Sequence, residues 1–184
     1  MGSAEVFDDI LRIVGGTGLE SRLIPVARYC AERFLGDLVE IGCQFGDTTV
    51  KLAGIARVYD KRVVAVDPWE KGTQNCRTGR EYDEFLRKTH RFEDIVDVVR
   101  LSSFSPGAVE YVRGRDLCFA YVDGLHTYDA CLSDIQATAH CAGVIAVDDV
   151  NIARVRRAFL DGAVATGRVP LFGASPKMGY LVAR

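Results

Sequence analysis

Carboxylates stand at the ends of two apolar runs in this sequence, where they could hold a cation or move a proton. The run 117–122 ends in Asp123, and the run 143–147 ends in Asp148 and Asp149. Three carboxylates at neighbouring strand ends repel one another unless they are protonated or bridged by a cation. Hard oxygen ligands with room for water suit Mg²⁺ or a similar ion. The sequence therefore predicts a metal site at Asp123, Asp148 and Asp149.

The geometry of a strand limits this prediction. Adjacent residues on a regular strand point to opposite faces, so Asp148 and Asp149 reach one ion only if the strand has already ended. The alternative is that one of the two caps the following helix near Asn151.

One histidine is placed to accept a proton at the same location. His126 follows Asp123 by three positions. A neutral imidazole near pH 7 can accept a hydroxyl proton, and a metal on the same oxygen would ease the transfer. We therefore predict His126 and Asp123 as the catalytic pair, the alternative being an ordinary helix-start histidine. His90 and His140 fall within helical patterns and are expected to be structural or solvated.

A glycine turn supplies the element that would present these groups to a ligand. The β-rich run 38–41 leads into Gly42 and Gly46, and a helical pattern opens at Asp47 and Thr48. Such a turn lets the backbone approach a ligand, and the free N–H groups of the helix start point toward it. Glu40, inside the apolar run, is expected in the same site, because a buried acid is costly unless it is bonded. Bonding to nearby backbone N–H groups is its alternative role.

The turn does not carry the usual nucleotide fingerprints. A dinucleotide motif would need glycines where Gln44 and Asp47 stand, and no Gly-Lys-Ser/Thr of a phosphate-binding loop follows. An NAD-dependent oxidoreductase is therefore disfavoured.

Strand and helix patterns alternate along most of the chain. This alternation predicts a Rossmann-like, doubly wound α/β sheet, mostly parallel and seven-stranded, with helices on both faces. Two closing apolar runs without a helix between them predict an antiparallel C-terminal hairpin at one sheet edge. Ligands bind such sheets outside the carboxyl ends of the strands. Five predicted strands end there in a polar residue: Glu40, Asp67, Ser102, Asp123 and Asp148.

The predicted elements have approximate bounds. The helices are expected at 4–14, 19–34, 47–59, 80–92, 106–113, 125–139 and 152–165. The strands are expected at 38–41, 62–67, 96–101, 117–123, 143–148, 169–172 and 179–182.

Composition bounds the class of protein. The 184 residues are 48% hydrophobic and 26% charged with a formal net charge of −2, which is typical of a single soluble domain. Scattered Lys and Arg disfavour a nucleic-acid partner, and no apolar run is long enough for a membrane span. The six cysteines form no CxxC pair and several lie in apolar patterns, so a reduced, cytoplasmic protein is expected.

The chain resembles the class I S-adenosylmethionine-dependent methyltransferases. The resemblance runs from about residue 19 to the final hairpin, and it is closest to the metal-dependent catechol-type and sugar or macrolide O-methyltransferases. The matching pieces are Glu40-Ile-Gly42-x-x-x-Gly46, Val66-Asp67-Pro-Trp69, Asp123-Gly-Leu-His126, Asp148-Asp149 and Lys177-Met-Gly-Tyr-Leu-Val182. One departure is Gln44, where many class I enzymes carry a glycine.

The resemblance implies a cofactor and roles for particular residues. S-Adenosylmethionine would lie on the glycine turn, with its ribose on Asp67 and Mg²⁺ or another divalent cation beside it. A basic residue at the offset of His126 occurs in those relatives. Trp69, Ser102 and Ser103 are expected near the adenine, although many relatives have an acid where Ser102-Ser103 stands. The alternative for Trp69 is an aromatic residue of the core. The cofactor-binding residues so predicted are Glu40, Gly42, Gly46, Thr48, Asp67, Trp69, Ser102 and Ser103.

The expected activity is O-methylation of a small molecule such as a natural product, sugar or phenol. A hydroxylase or cyclase on the same scaffold, and a non-catalytic cofactor-binding protein, remain as alternatives. Residues 1–184 are expected to form one domain, in which the helices of 1–36 serve as a substrate lid or homodimer contact and 37–184 bind the cofactor. The loop 70–81 is a second candidate lid, and Lys71, Arg77 and Arg80 in it could attract an acidic substrate, although a solvated loop is the alternative.

Overall fold

The computed structural model describes residues 3–15, 22–71, 76 and 78–183. Its strands are β1 (Asp37–Ile41), β2 (Val63–Val66), β3 (Val96–Val99), β4 (Leu117–Val122), β5 (Val144–Val147), β6 (Val169–Phe172) and β7 (Gly179–Val182). They form one sheet in the order β3-β2-β1-β4-β5-β7-β6. β1 to β5 run parallel, whereas β7 lies antiparallel to both β5 and β6. The predicted doubly wound sheet with an antiparallel hairpin at its edge is confirmed.

Helices cover both faces of this sheet. They are α1 (Ser3–Val14), α2 (Leu23–Arg33), α3 (Asp47–Val58), α4 (Glu81–Thr89), α5 (Pro106–Arg113), α6 (Tyr128–Ala137) and α7 (Ala153–Thr166). In one apolar core, the four helices α1, α2, α3 and α4 pack on the sheet face that carries Leu38 and Phe119. In a second core, the three helices α5, α6 and α7 pack on the opposite face, which carries Val39 and Ala120. Because β1 and β4 are buried on both faces, their apolar runs are continuous rather than alternating.

Several element bounds differ from the prediction. The third strand stops at Val99 instead of residue 101, and α4 ends at Thr89 before a single 3₁₀ turn, His90–Phe92. Leu125 lies outside α6, because the side chain of Thr127 caps that helix by accepting from the N–H of Ala130. Leu19, Gly16 and Arg77 lie outside the described residues.

The sheet sets the polar residues at its carboxyl edge in register. The N–H of each of four residues donates to the carbonyl of a neighbouring strand: Gly42 to Val66, Asp67 to Val99, Asp123 to Ile41, and Asp148 to Val122. The hydrogen-bond ladder therefore continues one residue beyond each strand. This arrangement fixes the backbone of Gly42, Asp67, Asp123 and Asp148 along one edge.

The first two helices are tied to the domain. Ile10 and Val14 of α1 are buried in the first core, and the hydroxyl of Tyr29 in α2 donates to Asp9 of α1 at 3.0 Å. Their apolar stripes thus pack within the chain, and the homodimer and the division at residue 36 stay predictions. All six cysteines are free and buried. Within the described part of the chain, no helix has the length and apolarity to cross a membrane.

Candidate active site

Two cavities open at the carboxyl edge of the sheet. The first, of about 330 Å³, is formed by the loops after β1, β2, β3 and β4. The second, of about 310 Å³, lies between the starts of α2 and α3, the ends of β4 and β5, and the β6–β7 loop. Residues of the first cavity include Gly42, Asp67, Ser102, Ser103, Phe104 and Gly124. Residues of the second include Leu23, Thr48, Lys51, Tyr121, Asp148 and Lys177.

The predicted glycine turn separates β1 from α3. Gly42 has φ +91°, and a side chain there would overlap the backbone carbonyl of Asp123. Gly46, with φ +79°, is the residue that precedes α3. Gln44, at the position where many class I enzymes have glycine, also adopts a positive φ of 43°. The turn therefore needs glycine at position 42 for both conformation and space.

Asp67 holds this turn and also lines the first cavity. It is buried, and its carboxylate accepts from the N–H of Gln44 at 3.1 Å and of Trp69 at 2.8 Å. Burial raises the pKa of Asp67, while these backbone donors act in the opposite direction. A carboxylate can accept about four hydrogen bonds, so capacity remains for a ligand's hydroxyl groups.

Trp69 serves in the core rather than in the first cavity. Its ring packs against Tyr82 and Phe85 with centroids 5.0 and 4.7 Å apart, and its Nε1 donates to the carbonyl of Gln44 at 2.7 Å. The side chain is buried in the first apolar core. Trp69 thus supports the turn from behind, and the expected contact with the adenine stays a prediction.

Glu40 likewise lies behind the turn. Its carboxylate is buried and accepts from the hydroxyl of Thr49 in α3, a side-chain donor rather than the backbone donors of its alternative role. Burial raises the pKa of Glu40 to about 8, and the nearby Asp123 and Asp67 contribute. Among the other predicted cofactor residues, Ser102 and Ser103 line the first cavity and Thr48 lines the second.

Asp123 and Asp148 meet at the hydroxyl of Tyr121. One oxygen of each carboxylate lies 3.2 Å from the Tyr121 hydroxyl oxygen. A phenol has one hydrogen to donate, so it satisfies one of the two carboxylates at a time. Burial and the neighbouring Asp123 raise the pKa of Asp148, and burial together with both carboxylates raises the pKa of Tyr121. The two carboxylates therefore compete for one hydrogen of Tyr121.

Asp149 turns away from this pair. It lies beyond the end of β5 with φ +52°, and its carboxylate oxygens contact Lys177 Nζ at 3.1 Å and His126 Nε2 at 3.3 Å. His126 Nε2 also lies 3.7 Å from Asp123. The neighbouring carboxylates of Asp123 and Asp149 raise the pKa of His126, and partial burial opposes this. The structure thus places His126 and Asp123, the two predicted catalytic residues, next to each other.

The three carboxylates of the predicted metal site do not converge. Within residues 3–15, 22–71, 76 and 78–183, no group of three or more His, Cys, Asp or Glu side chains is arranged to hold a metal ion. Asp149 instead forms an ion pair with Lys177 and contacts His126. Asp123 and Asp148 nevertheless form a two-carboxylate arrangement, and Mg²⁺ in proteins commonly uses one or two carboxylates and keeps several waters. The donor set fits such an ion.

Several residues of the site were not assigned a role from the sequence. Tyr121 is embedded in an apolar strand, and Phe104 follows the third strand without a distinguishing pattern. Lys177 belongs to a matching motif, but nothing in its spacing indicates the contact with Asp149. Asp134 of α6 did carry a signal: it lies three residues after Cys131 and one before Ile135, on the apolar face of the helix.

Comparison with known proteins agrees with this architecture. A protein-family model described as a methyltransferase domain matches residues 39–150, which include the glycine turn and the carboxylate pair. Among curated protein sequences, none matches this chain.

Solved structures share the fold at low sequence identity. The O-methyltransferase NovP is 15% identical, covering 98% of this chain and 99% of its own, with a TM-score of 0.61. TomG from Streptomyces achromogenes, an O-methyltransferase in complex with SAM, is 15% identical over 99% of this chain and 88% of its own, with a TM-score of 0.60. An O-methyltransferase from Bacillus cereus in complex with SAH is 15% identical over 98% and 90%, with a TM-score of 0.58.

Proposed function

The chain belongs to the methyltransferase-domain family, and from this membership we propose that it transfers a methyl group from S-adenosylmethionine to a hydroxyl oxygen of a small molecule. The observation that carries the proposal is the position of the two cavities on either side of the β1 and β4 ends. The first contains Asp67, and the second contains Asp148, which approaches the Tyr121 hydroxyl together with Asp123. The names of the similar folds, three of them O-methyltransferases and two in complex with SAM or SAH, support the same chemistry.

The first cavity suits the nucleoside part of the cofactor. Its volume of about 330 Å³ is within the usual range for small-molecule pockets. Asp67 would accept hydrogen bonds from the ribose hydroxyls, and Gly42 lets the chain pass close beneath the cofactor. Thr48, at the start of α3, would face the methionine part from the second cavity.

The second cavity suits the methyl acceptor. Leu23 and Met178 give it an apolar wall, while Tyr121 and Asp148 give it a polar floor. The acceptor oxygen would attack the methyl carbon, the bond from carbon to sulfur would break, and S-adenosylhomocysteine would leave. His126 would take the hydroxyl proton and pass it to solvent. Most of the rate would come from holding the oxygen in line with the methyl group.

We further propose that the site binds a divalent cation such as Mg²⁺. Asp123 and Asp148 would hold it, since both approach the Tyr121 hydroxyl and neither is paired with a lysine or arginine among the described residues. When bound, the cation would stabilise negative charge on the acceptor oxygen. Asp149 would act instead by holding His126 and Lys177 in place.

A methyl-transfer assay tests the proposal. The protein is incubated with S-adenosylmethionine carrying a labelled methyl group and with a panel of small phenols, catechols and sugars. We expect label to appear in at least one hydroxyl-bearing product together with S-adenosylhomocysteine. Saturable cofactor binding without transfer to any acceptor, including small-molecule extracts, would instead favour a non-catalytic protein. Oxygen-dependent hydroxylation of an acceptor would favour the hydroxylase alternative.

A further inference from the structure

Two lysines line the second cavity, and the mechanism above gives neither of them a role in binding a ligand. Lys51 lies in the second turn of α3, and Lys177 lies on the loop between β6 and β7. Lys177 forms an ion pair with Asp149 at 3.1 Å. Within the described part of the chain, the ammonium of Lys51 forms no ion pair and donates no hydrogen bond. Among those residues, its positive charge is therefore not balanced by a neighbour.

The other groups of the second cavity differ in character. The strand ends contribute the hydroxyl oxygen of Tyr121 and a carboxylate oxygen of Asp148, which lie 3.2 Å apart. Leu23 and Met178 contribute buried apolar side chains. Lys51 comes from a helix rather than from a strand end, so its charge and that of Asp148 enter the cavity from different elements. A ligand that meets all of these groups has a hydroxyl, an apolar body and an anionic group.

The cofactor's own carboxylate has a different partner in the proposed arrangement. The first turn of α3, which begins at Asp47 and contains Thr48, presents backbone N–H groups without partners inside the helix. The helix dipole favours a negative charge beside them. These groups suit the carboxylate of the methionine part, which the proposed function places at Thr48. Lys51 lies one turn further along the helix, so its ammonium remains for the second ligand of the reaction.

We propose that the methyl acceptor is a hydroxy acid and that the ammonium of Lys51 binds its carboxylate. This inference rests on the proposed function, in which the second cavity holds the acceptor. One unpaired ammonium balances a single negative charge, so a carboxylate matches it better than a doubly charged phosphate. Lys177 adds positive potential at the same cavity, although Asp149 offsets part of it. Phenolic acids and sugar acids are the chemical classes that combine such a carboxylate with a hydroxyl on a compact body.

The basic residues that the sequence suggested for an acidic substrate are different ones. Lys71 and Arg80 of the loop 70–81 do not line the second cavity, and Arg77 lies outside the described residues. Arg80 borders a groove between the start of α3 and α4. Selection of an acidic acceptor by the second cavity therefore depends on α3 rather than on this loop.

Two pairs of ligands that differ in this charge test the proposal. 3,4-Dihydroxybenzoate is compared with 3,4-dihydroxybenzamide, and glucuronate with glucuronamide, because each amide removes the charge at nearly the same size. Their dissociation constants are measured by titration calorimetry on protein saturated with S-adenosylhomocysteine. The proteins are the wild type, Lys51→Gln and Lys51→Arg, with Arg57→Gln as the control. Arg57 is exposed at the far end of the same helix, so this variant removes an equal charge away from the cavity.

The expected results differ between the two ligands of a pair. In at least one pair, the wild type, Arg57→Gln and Lys51→Arg should bind the carboxylate at least about tenfold more tightly than the amide, the usual value of a hydrogen bond to a charged group. Lys51→Gln should bind the two within about threefold of each other. Its affinity for S-adenosylhomocysteine should stay within about twofold of the wild type, because the start of α3 still binds the cofactor's carboxylate.

Three results would overturn the inference and leave the proposed function standing, provided that the wild type binds S-adenosylhomocysteine and transfers the methyl label. The first is that the wild type binds neither carboxylate or prefers neither over its amide. The second is an unchanged preference in Lys51→Gln. The third is a loss of S-adenosylhomocysteine affinity in Lys51→Gln, which would assign the lysine to the cofactor. Failure of the wild type to bind S-adenosylhomocysteine at all would overturn both.

Discussion

At the scale of single residues, the site is defined by how its charges are compensated. Asp149 is held between Lys177 and His126 at 3.1 and 3.3 Å, so its charge is largely balanced. Asp123 and Asp148 share one phenolic hydrogen from Tyr121. The acceptor oxygen would thus arrive between an imidazole that can take a proton and a carboxylate pair that attracts a cation.

The role of His126 can be tested by replacing its proton-accepting nitrogen. His126→Gln keeps a polar side chain of similar size but is not a base near neutral pH. We expect turnover in the methyl-transfer assay to fall roughly 100-fold, the usual contribution of a general base. The affinity for S-adenosylhomocysteine should change less than about twofold, because His126 does not line the cavity proposed for the cofactor. His90→Gln, at an exposed position, is the control, and normal turnover by His126→Gln would rule out a base at this residue.

The carboxylate pair makes a separate prediction about metal. If Asp123 and Asp148 bind Mg²⁺, chelation with EDTA should lower the turnover of the wild type and added Mg²⁺ should restore it. Asp123→Asn should respond to neither treatment, since one of two ligands is lost. Asp60→Asn, at an exposed position at the far end of α3, should behave like the wild type. Full activity of the wild type in excess EDTA would show that turnover does not depend on a divalent cation.

At the scale of elements, the turn between β1 and α3 is the most constrained part of the site. Gly42 combines a positive φ with contact to the backbone of Asp123, so it ties β1 to the end of β4. Gly54, in the middle of α3, has open space where a side chain would stand. The two glycines therefore form a matched pair for substitution.

Alanine at these two positions should change the free energy of unfolding in opposite directions. Gly42→Ala should lower the free energy of unfolding by roughly 2 kcal/mol or more, because both the left-handed backbone and the overlap with Asp123 oppose it. Gly54→Ala should raise it by up to about 1 kcal/mol, the difference in helix propensity. Urea denaturation measures both, and titration with S-adenosylhomocysteine should show binding lost only in Gly42→Ala. Equal stability of the two variants would refute the close packing of the turn.

The buried Asp134 in α6 should make the stability of the protein depend on pH. The pKa of Asp134 rises from 3.8 in a solvated chain to about 7 in the fold, so the folded state holds its proton more tightly. The free energy of unfolding should therefore fall as the pH rises between about 4 and 7. From pH 5 to pH 8 the loss from this group is on the order of 2 to 3 kcal/mol.

Asp134→Asn isolates this contribution. Urea denaturation of the variant at pH 5 and pH 8 should show a smaller difference than the wild type by about that amount, because asparagine does not titrate. Other buried acids, such as Glu40, remain in both proteins and cancel in the comparison. An identical pH dependence of the two proteins would show that Asp134 has an ordinary pKa.

The sequence predicts the strands and helices well because buried positions are occupied by apolar residues, and these form a pattern visible in the sequence. β2, β4 and β5 are covered on both faces, so their apolar runs are unbroken and their polar end residues are visible. β6 and β7 are predicted to the residue, since Gly173 to Met178 separates them. The edge strand β3 is less clear, because Val98 is exposed and the apolar pattern continues past its end.

The site is predictable only where backbone position determines it. Asp123 and His126 follow from the end of β4, and Asp67 follows from the end of β2. The direction of a side chain is not visible in the sequence. Trp69 could line a cavity or fill the core, and a positive φ at that residue turns it into the core. Similarly, only the structure shows that Asp149 faces Lys177 rather than Asp148.

At the scale of the whole molecule, the sheet brings together groups that lie far apart in the sequence. Gly42, Asp67, Asp123 and Asp148 come from four different strand ends, and their N–H groups are fixed by neighbouring strands. The antiparallel β7 then places the β6–β7 loop, with Lys177, over the second cavity. The two cavities thus share one edge of the sheet, as the proposed methyl transfer between them requires.

A ligand-induced shift in melting temperature tests this account most directly. S-Adenosylhomocysteine at about 100 times its dissociation constant should stabilise the protein by about 2.7 kcal/mol, or roughly 5 to 10 °C for a domain of this size. NAD at the same concentration should give no shift, because the turn lacks the glycines of a dinucleotide site. Stabilisation by NAD and not by S-adenosylhomocysteine would contradict the account.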